Sequence, residues 1–250
     1  MGKLDGQVAV VMGASSGMGW QTALAFAAEG ARVVAVARRR ELLDGLVAAI
    51  AERGGHALAQ AGDVSRRTDV DAAAQAAVER FGRVDVLAYT AGVNTREREL
   101  AVVSQEQWDR VVGVNLSGAF YCMQAVLPQM RRQGGGLIIL ISSISAIWGD
   151  FSGPAYQASK HGLVGLANAT MMEERLNGIR VTVIFPGLCD TPLLSNRPMP
   201  PTRETRDKMM KPEDIAQACV FVASLPPRTY VAELVIMPGA LQCNGHPVAG

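Results

Sequence analysis

The sequence predicts an α/β protein, built as one doubly wound domain with a mostly parallel seven-stranded sheet and helices on both faces. Three observations carry this prediction. Short aliphatic runs alternate with longer stretches of helical spacing through most of the 250 residues, the pattern of strands joined by crossover helices. A glycine-rich turn sits between the first strand-like run and the first helical one. Hydrophobic residues make up 49% and charged residues 19%, which supplies a large core and excludes intrinsic disorder.

The elements follow in order. Residues 7–12 are a β-rich run ending at Gly13, and residues 17–29 have helical spacing closed by Gly30 as a C-cap. Residues 32–37 form a second strand, and a helix over 41–53 stops at Gly54 and Gly55. A weaker strand at 56–61 precedes an Ala-rich helix at 68–81 and a fourth strand at 84–89. Residues 105–132 read as one long helix, stopped by three glycines at 134–136. The continuous aliphatic run 137–141 is the strand expected when both sheet faces are covered. A helix at 155–177, a strand at 180–185, a helix at 213–224 and a strand at 233–237 complete the pattern. No linker or repeat divides residues 1–250; within them, 192–211 is a Pro-rich irregular flap and 242–250 a C-terminal tail.

Composition narrows the function classes. Lys+Arg 24 against Asp+Glu 23 gives a net charge of +1, so no global field attracts nucleic acid or an anionic membrane. Cys122, Cys189, Cys219 and Cys243 are scattered without a C-x-x-C pair, which argues for a reducing compartment. His56, His161 and His246 lack metal-ligand spacing, so no metal is expected. The first residues carry no apolar signal core, and Gly6 breaks the myristoylation pattern. The uncharged stretch 111–130 is interrupted by Asn115, Gln124 and Pro128, which favours a buried helix over a membrane span. The expectation is a soluble cytoplasmic protein.

Five features carry chemistry. In Gly13-Ala14-Ser15-Ser16-Gly17-Met18-Gly19, glycines permit a tight turn and let backbone N–H groups approach a pyrophosphate at a helix N-terminus. In Tyr156-Gln157-Ala158-Ser159-Lys160, positions i and i+4 share a helix face, and an ammonium beside a phenol favours the phenolate. Ser143 ends the fifth strand, where open α/β sheets bind ligands, with Ser142 and Ser145 as competitors. Asn115 places an amide inside an apolar helix, which marks either an irregularity with a structural water or a surface position. At the end of the second strand, Arg38, Arg39 and Arg40 stand where an NAD site would carry a carboxylate. Arg binds a 2′-phosphate by charge-assisted bonds, so the cofactor expected is NADP, with Arg38 the first contact and Arg39 the second.

In their joint order, these residues resemble the short-chain dehydrogenase/reductase family, whose domain is a Rossmann fold. Asp63-Val64, Ala91-Gly92 and Pro186-Gly187 followed by Thr191 complete the likeness, which runs from Val8 to about Leu241. The ending, without Asp-Gly-Gly, resembles the branch of 3-hydroxy-acid and serine dehydrogenases and their carbonyl-reductase relatives. The resemblance implies that Asp63 and Val64 contact adenine, that Ala91 and Gly92 line the cofactor cleft, and that Pro186, Gly187 and Thr191 hold the nicotinamide end. It further implies a hydride transfer in which Tyr156 exchanges the proton, Ser143 binds the substrate oxygen, Lys160 lowers the Tyr156 pKa and holds the ribose, and Asn115 positions a relay water. Tyr89-Thr90 stands where relatives usually carry Asn-Asn, and Met12 where they carry Thr, so the usual braces between central strands are missing from the sequence.

Ala146, Ile147, Trp148, Leu188, Cys189, Leu193 and Leu194 are the expected pocket, although Cys189 also reads as a small buried hydrophobe. That lining points to a general carbonyl reductase acting on ketones with a hydrocarbon portion. A carboxylate-bearing substrate would need Arg197, Arg203 or Arg206 of the flap. Two rivals are a 3-oxoacyl-acyl-carrier-protein reductase and a non-catalytic NADP(H) sensor or scaffold; the first needs a basic patch, for which Arg131, Arg132 and Arg175 are candidates, although basic residues at helix ends more often answer the helix dipole. By resemblance the chain forms a homotetramer, or a homodimer.

Overall fold

Each central strand is apolar at every position because both of its faces are buried. The computed structural model describes residues 2–241; the tail at 242–250, with Cys243 and His246, lies outside the described residues. Strands β1 (Val8–Met12), β2 (Arg32–Ala37), β3 (His56–Ala61), β4 (Val86–Tyr89), β5 (Gly136–Ile141), β6 (Ile179–Pro186) and β7 (Glu233–Ile236) form one sheet in the order β3-β2-β1-β4-β5-β6-β7. All six pairings are parallel, so the sheet expected to be mostly parallel is wholly so among the described residues.

Side-chain alternation divides the core into two layers. On one face, Ala9 and Val11 of β1 and Ile139 of β5 pack with helices α1 (Gly17–Ala28), α2 (Arg40–Ala51) and α8 (Pro212–Ala223). On the other, Val10, Met12, Ile138 and Leu140 pack with α3 (Arg67–Phe81), α5 (Gly118–Arg132) and α6 (Pro154–Glu174). Fully buried Phe26, Leu46, Met123 and Met130 anchor these layers, each worth roughly 1.5–3 kcal/mol of apolar transfer. The order reverses between β1 and β4, which opens a crevice at their carboxyl ends.

The long helix expected over 105–132 is three segments. It starts at Ser104, whose hydroxyl accepts from the Gln107 N–H while the Gln107 side chain accepts from the Ser104 N–H. α4 (Gln105–Val112) then passes into a π turn, Gly113–Ser117, before α5. In the turn the Gly118 N–H bonds the Gly113 carbonyl five residues back. The apolar periodicity runs straight through, so it does not reveal the break. This helical stretch has the length and composition of a membrane span, yet α5 packs in the core layer beneath the sheet. The flap also departs from expectation: it carries a 3₁₀ turn, Pro192–Asn196, and a short helix α7 (Arg203–Asp207), capped by the Thr202 hydroxyl accepting from Thr205 N–H.

Tyr89 and Thr90 supply the braces that the sequence left missing. Buried Tyr89 donates its hydroxyl to the Val114 carbonyl in the π turn, and desolvation keeps its phenol protonated by pushing its pKa well above the ordinary value. Thr90 ties the end of β4 to β1, its hydroxyl donating to the Met12 carbonyl at 2.6 Å and its N–H to the same oxygen at 3.0 Å. Tyr89→Phe should leave the Val114 carbonyl without this donor and lower unfolding free energy by about 1–3 kcal/mol. Urea denaturation checks this, and an unchanged midpoint would remove the brace.

Candidate active site

Parallel strands place every β-to-α loop on one edge, so residues distant in sequence converge there. The first is the glycine turn. Gly13 has φ +88, and a Cβ there would lie 2.7 Å from the Ala91 nitrogen, so only glycine lets the turn close on the end of β4. Ser16 caps α1 without a side-chain bond, and no acidic residue occupies the helix's first turn. The first N–H groups of α1 and its positive dipole end are therefore free to meet an anion. Thr191 and Pro192 lie 3.6 Å from the Cβ position of Gly17, which brings the start of the flap onto this turn.

Both arginines at the end of β2 face the same corner. The Arg39 guanidinium donates to the Ser15 hydroxyl at 2.8 Å and to Ser16 at 3.2 Å. Arg38 stands 3.8 Å from the Asp63 carboxylate, and both are exposed enough to water for the pair to be weak. Burial opposes ionisation of Asp63, but hydrogen bonds from Ser65 and the Arg38 and Arg66 charges outweigh it and lower its pKa. Arg40 pairs instead with Asp44 one helical turn along α2.

Ser143, Tyr156 and Lys160 meet at the carboxyl end of β5. Of the three serines there, Ser142 is buried and donates to the Lys160 carbonyl at 2.9 Å, and Ser145 is buried and donates to Asp150 at 2.6 Å. Ser143 alone of the three is not buried, and its hydroxyl donates to that of Ser145 at 3.0 Å. Lys160 is 3% exposed, donates to the Ile141 carbonyl at 2.8 Å, and lies 5.6 Å from the Tyr156 ring centroid. Burial lowers its pKa to about 8. Burial raises the pKa of Tyr156, while the Ser143 hydroxyl and the Arg197 and Arg98 charges oppose the rise and Asp150 adds to it.

Asn115 is fully buried in the π turn, not on the surface. Its amide is spent on protein: Oδ1 accepts from Val93 N–H at 2.8 Å, and Nδ2 donates to the Val93 carbonyl and to Ser159, each at 3.0 Å. It thereby fastens the loop after β4 to the helix carrying Lys160. Gly92 stands beside them, its Cβ position 3.5 Å from Lys160 Nζ.

The remaining expected residues are spread around this edge. Val64 is buried under the π turn near Gly118. Pro186 ends β6, and the Gly187 N–H bonds the Ile236 carbonyl. Ala146 is buried, Ile147 and Trp148 are exposed after β5, Leu193 is half-buried, and Leu188 packs with buried Leu194 in a small flap cluster. Cys189 belongs to the core layer with α8, where burial raises its thiol pKa to about 12. The basic candidates for a site entrance lie elsewhere. Arg131 and Arg132 end α5 just before β5 begins, and Arg175 lies just before β6, so all three sit on the opposite edge of the sheet. Arg131 pairs there with Glu174, and Arg175 bonds the Met172 carbonyl. They answer helix ends, not a site entrance. Arg98, by contrast, was not singled out from the sequence and lies within electrostatic reach of Tyr156.

A family model described as short chain dehydrogenase matches residues 7–200. The chain is a short-chain dehydrogenase. A 3-oxoacyl-(acyl-carrier-protein) reductase of Thermotoga maritima is 34% identical over 96% of this chain and 99% of its own. A D-threitol dehydrogenase of Mycolicibacterium smegmatis is 38% identical over 89% and 87%. A metagenomic short-chain oxidoreductase solved in complex with NADP superposes with a TM-score of 0.82 at 33% identity, covering 94% of this short-chain dehydrogenase and 99% of that chain. No group of three or more metal-ligating side chains occurs among its described residues. Asn115→Ala should strand the Val93 backbone groups and destabilise this short-chain dehydrogenase by about 1–3 kcal/mol. Chemical denaturation measures the loss, and a wild-type midpoint would remove Asn115 from its bracing role.

Proposed function

We propose that this short-chain dehydrogenase is an NADP(H)-dependent oxidoreductase interconverting a ketone or aldehyde and an alcohol. The observation that carries the reading is the meeting of Tyr156, Lys160 and Ser143 beside the glycine turn, on the edge where β1 and β4 diverge. The residues present fit the cofactor. Gly13, Ser15, Ser16, Gly17, Met18 and Gly19 would hold its pyrophosphate at the free end of α1. Arg39, anchored over Ser15 and Ser16, and neighbouring Arg38 would take a 2′-phosphate, which no carboxylate at the end of β2 repels. Asp63 and Val64 would face the adenine side, and Ala91, Gly92, Pro186, Gly187 and Thr191 the nicotinamide side. Relatives solved with NADP and with 5-hydroxy-NADP support this choice.

When bound, NADP(H) supplies or accepts the hydride at the reacting carbon. Tyr156 carries its proton at neutral pH because burial raises its pKa, so it gives that proton to the carbonyl oxygen. Ser143 turns its hydroxyl from Ser145 to the same oxygen and stabilises the charge developing there. The Lys160 ammonium stabilises the phenolate that remains. Asn115 holds the π turn beside Lys160, where a water relays the replacement proton. Trp148, Leu193 and Ala146 border the substrate, while Leu188 and Cys189 support the pocket from behind. We read the protein as a cytoplasmic homotetramer without nucleic-acid or membrane partners; half-exposed Phe120 on α5 and exposed Met172 on α6 provide apolar surface for pairing subunits. The second reading, a 3-oxoacyl-acyl-carrier-protein reductase, is favoured by the Thermotoga relative. A non-catalytic sensor is disfavoured because every group the chemistry needs is in place.

Tyr156→Phe should cut turnover of a ketone by about two to four orders of magnitude while NADPH fluorescence titration shows nearly unchanged binding. Near-normal turnover would remove Tyr156 from its role. Reductive kcat/KM should be flat below the Lys160 pKa and fall as pH rises through about 8, since the lysine then loses the charge that stabilises the phenolate. A profile without that falling limb would contradict the assignment. Arg39→Ala should raise the NADPH KM about tenfold or more, consistent with losing a charge-assisted bond, with little effect on NADH; equal effects on both cofactors would refute the 2′-phosphate role.

A further inference from the structure

The flap spans the candidate site. It leaves the end of β6, meets the glycine turn at Thr191 and Pro192, and reaches the loop after β4 at Asn196. Its two ends close on each other to form a neck. The Asp190 N–H bonds the Met210 carbonyl at 2.8 Å, and the Met210 N–H bonds the Leu188 carbonyl at 3.1 Å. The Asp190 carboxylate pairs with Arg206 at 3.2 Å and with Lys211 at 3.1 Å. Leu194 packs with Leu188 and Met209 beside this neck.

The tip is held by other means. Arg98, in the loop between β4 and α4, is only 9% exposed, and its Nη2 donates to the Asn196 carbonyl at 2.6 Å. The Asn196 side chain returns a long bond of 3.5 Å to the Asn94 carbonyl, and the Asn94 side chain donates to the Ser152 carbonyl at 2.9 Å. Gly153 has φ +88, and a Cβ there would lie 2.3 Å from the Arg98 carbonyl oxygen, so only glycine lets the start of α6 close on Arg98. Past Asn196, residues 198–200 are exposed. The strong bond at the tip is therefore the charge-assisted one from Arg98.

This junction is also the least satisfied in the protein. Among the described residues, two buried side-chain polar atoms lack a hydrogen-bond partner, Arg98 Nε and Ser152 Oγ, and both lie here. A buried donor without a partner carries a desolvation cost that water removes. Lifting the tip breaks the Asn196 bond but uncovers the guanidinium, which offsets part of the loss. The paired neck offers no such return. Lids open where local stability is lowest and turn about segments that stay folded.

We propose that Arg98 is the positioning residue that clasps the flap across the cofactor crevice, and that NADP(H) enters and leaves by release of the Arg98–Asn196 bond while the neck at Asp190 stays closed. The inference rests on the NADP(H) reading above and adds the contact that governs exchange.

The test reads NADPH dissociation by stopped-flow displacement, and trypsin cleavage after Arg203 of the flap, in the full-length protein. Arg98→Met should speed NADPH release at least about tenfold, the change expected for one charge-assisted bond. Cleavage after Arg203 should quicken in the same variant without any cofactor present. Arg98→Lys keeps a cationic donor without the fork, so both rates should fall between those of Arg98→Met and the wild type. Should Arg98→Met fail to fold by circular dichroism, Arg98→Lys decides alone, because its release must still exceed that of the wild type. A lowered urea midpoint with release and cleavage unchanged would make Arg98 merely structural and overturn the clasp. Absence of NADPH binding to the wild type would overturn the cofactor reading, and with it the proposed route of exchange, whatever the cleavage rates.

Discussion

A dry ammonium group governs the arrangement of the whole site. Lys160 sits under Tyr156 with the Ile141 carbonyl as its one protein acceptor, and a charge in such a place is unstable unless its surroundings are held still. The fold holds them from three directions. β5 presents the carbonyl at its last residue, α6 is pinned through Ser142 and through Ser159 to Asn115, and the loop after β4 is kept close by Val93. Desolvation lowers the lysine pKa to about 8 and raises that of the tyrosine, so the same dryness perturbs both groups of the pair, in opposite directions.

Much of this was legible in the sequence, for physical reasons that differ by residue. The strands read clearly because burial on both faces leaves unbroken runs such as Leu137 to Ile141. Tyr156 and Lys160 were legible because a helix places i and i+4 on one side. The π turn was not, since one extra residue in a helical ring leaves apolar spacing almost unchanged, and Asn115 alone marked it. Arg98 was hidden for another reason. It stands in an alternating run, Arg96-Glu97-Arg98-Glu99, which by pattern is a solvated surface, and only contact with the flap and Gly153 buries it. For the arginines 131, 132 and 175 the sequence left two readings open, because it shows charge at a helix end without showing which edge of the sheet that end occupies. Arg39 meets water and hydroxyl partners, so it can wait for an anion at little cost.

The exchange of strand-end asparagines for Tyr89 and Thr90 has a consequence for anyone recombining this chain with its relatives. The Tyr89 hydroxyl occupies the space where a side chain at position 118 would begin, a Cβ there coming within 2.5 Å of it. Tyr89 and Gly118 are therefore a matched pair drawn from different modules, a strand end and a helix start. A graft that carries β4 from this protein into a relative with alanine or a larger residue at the equivalent helix position imports half of a lock. The transplanted module has to bring its helix with it, so the smallest interchangeable unit here runs from β4 through the start of α5.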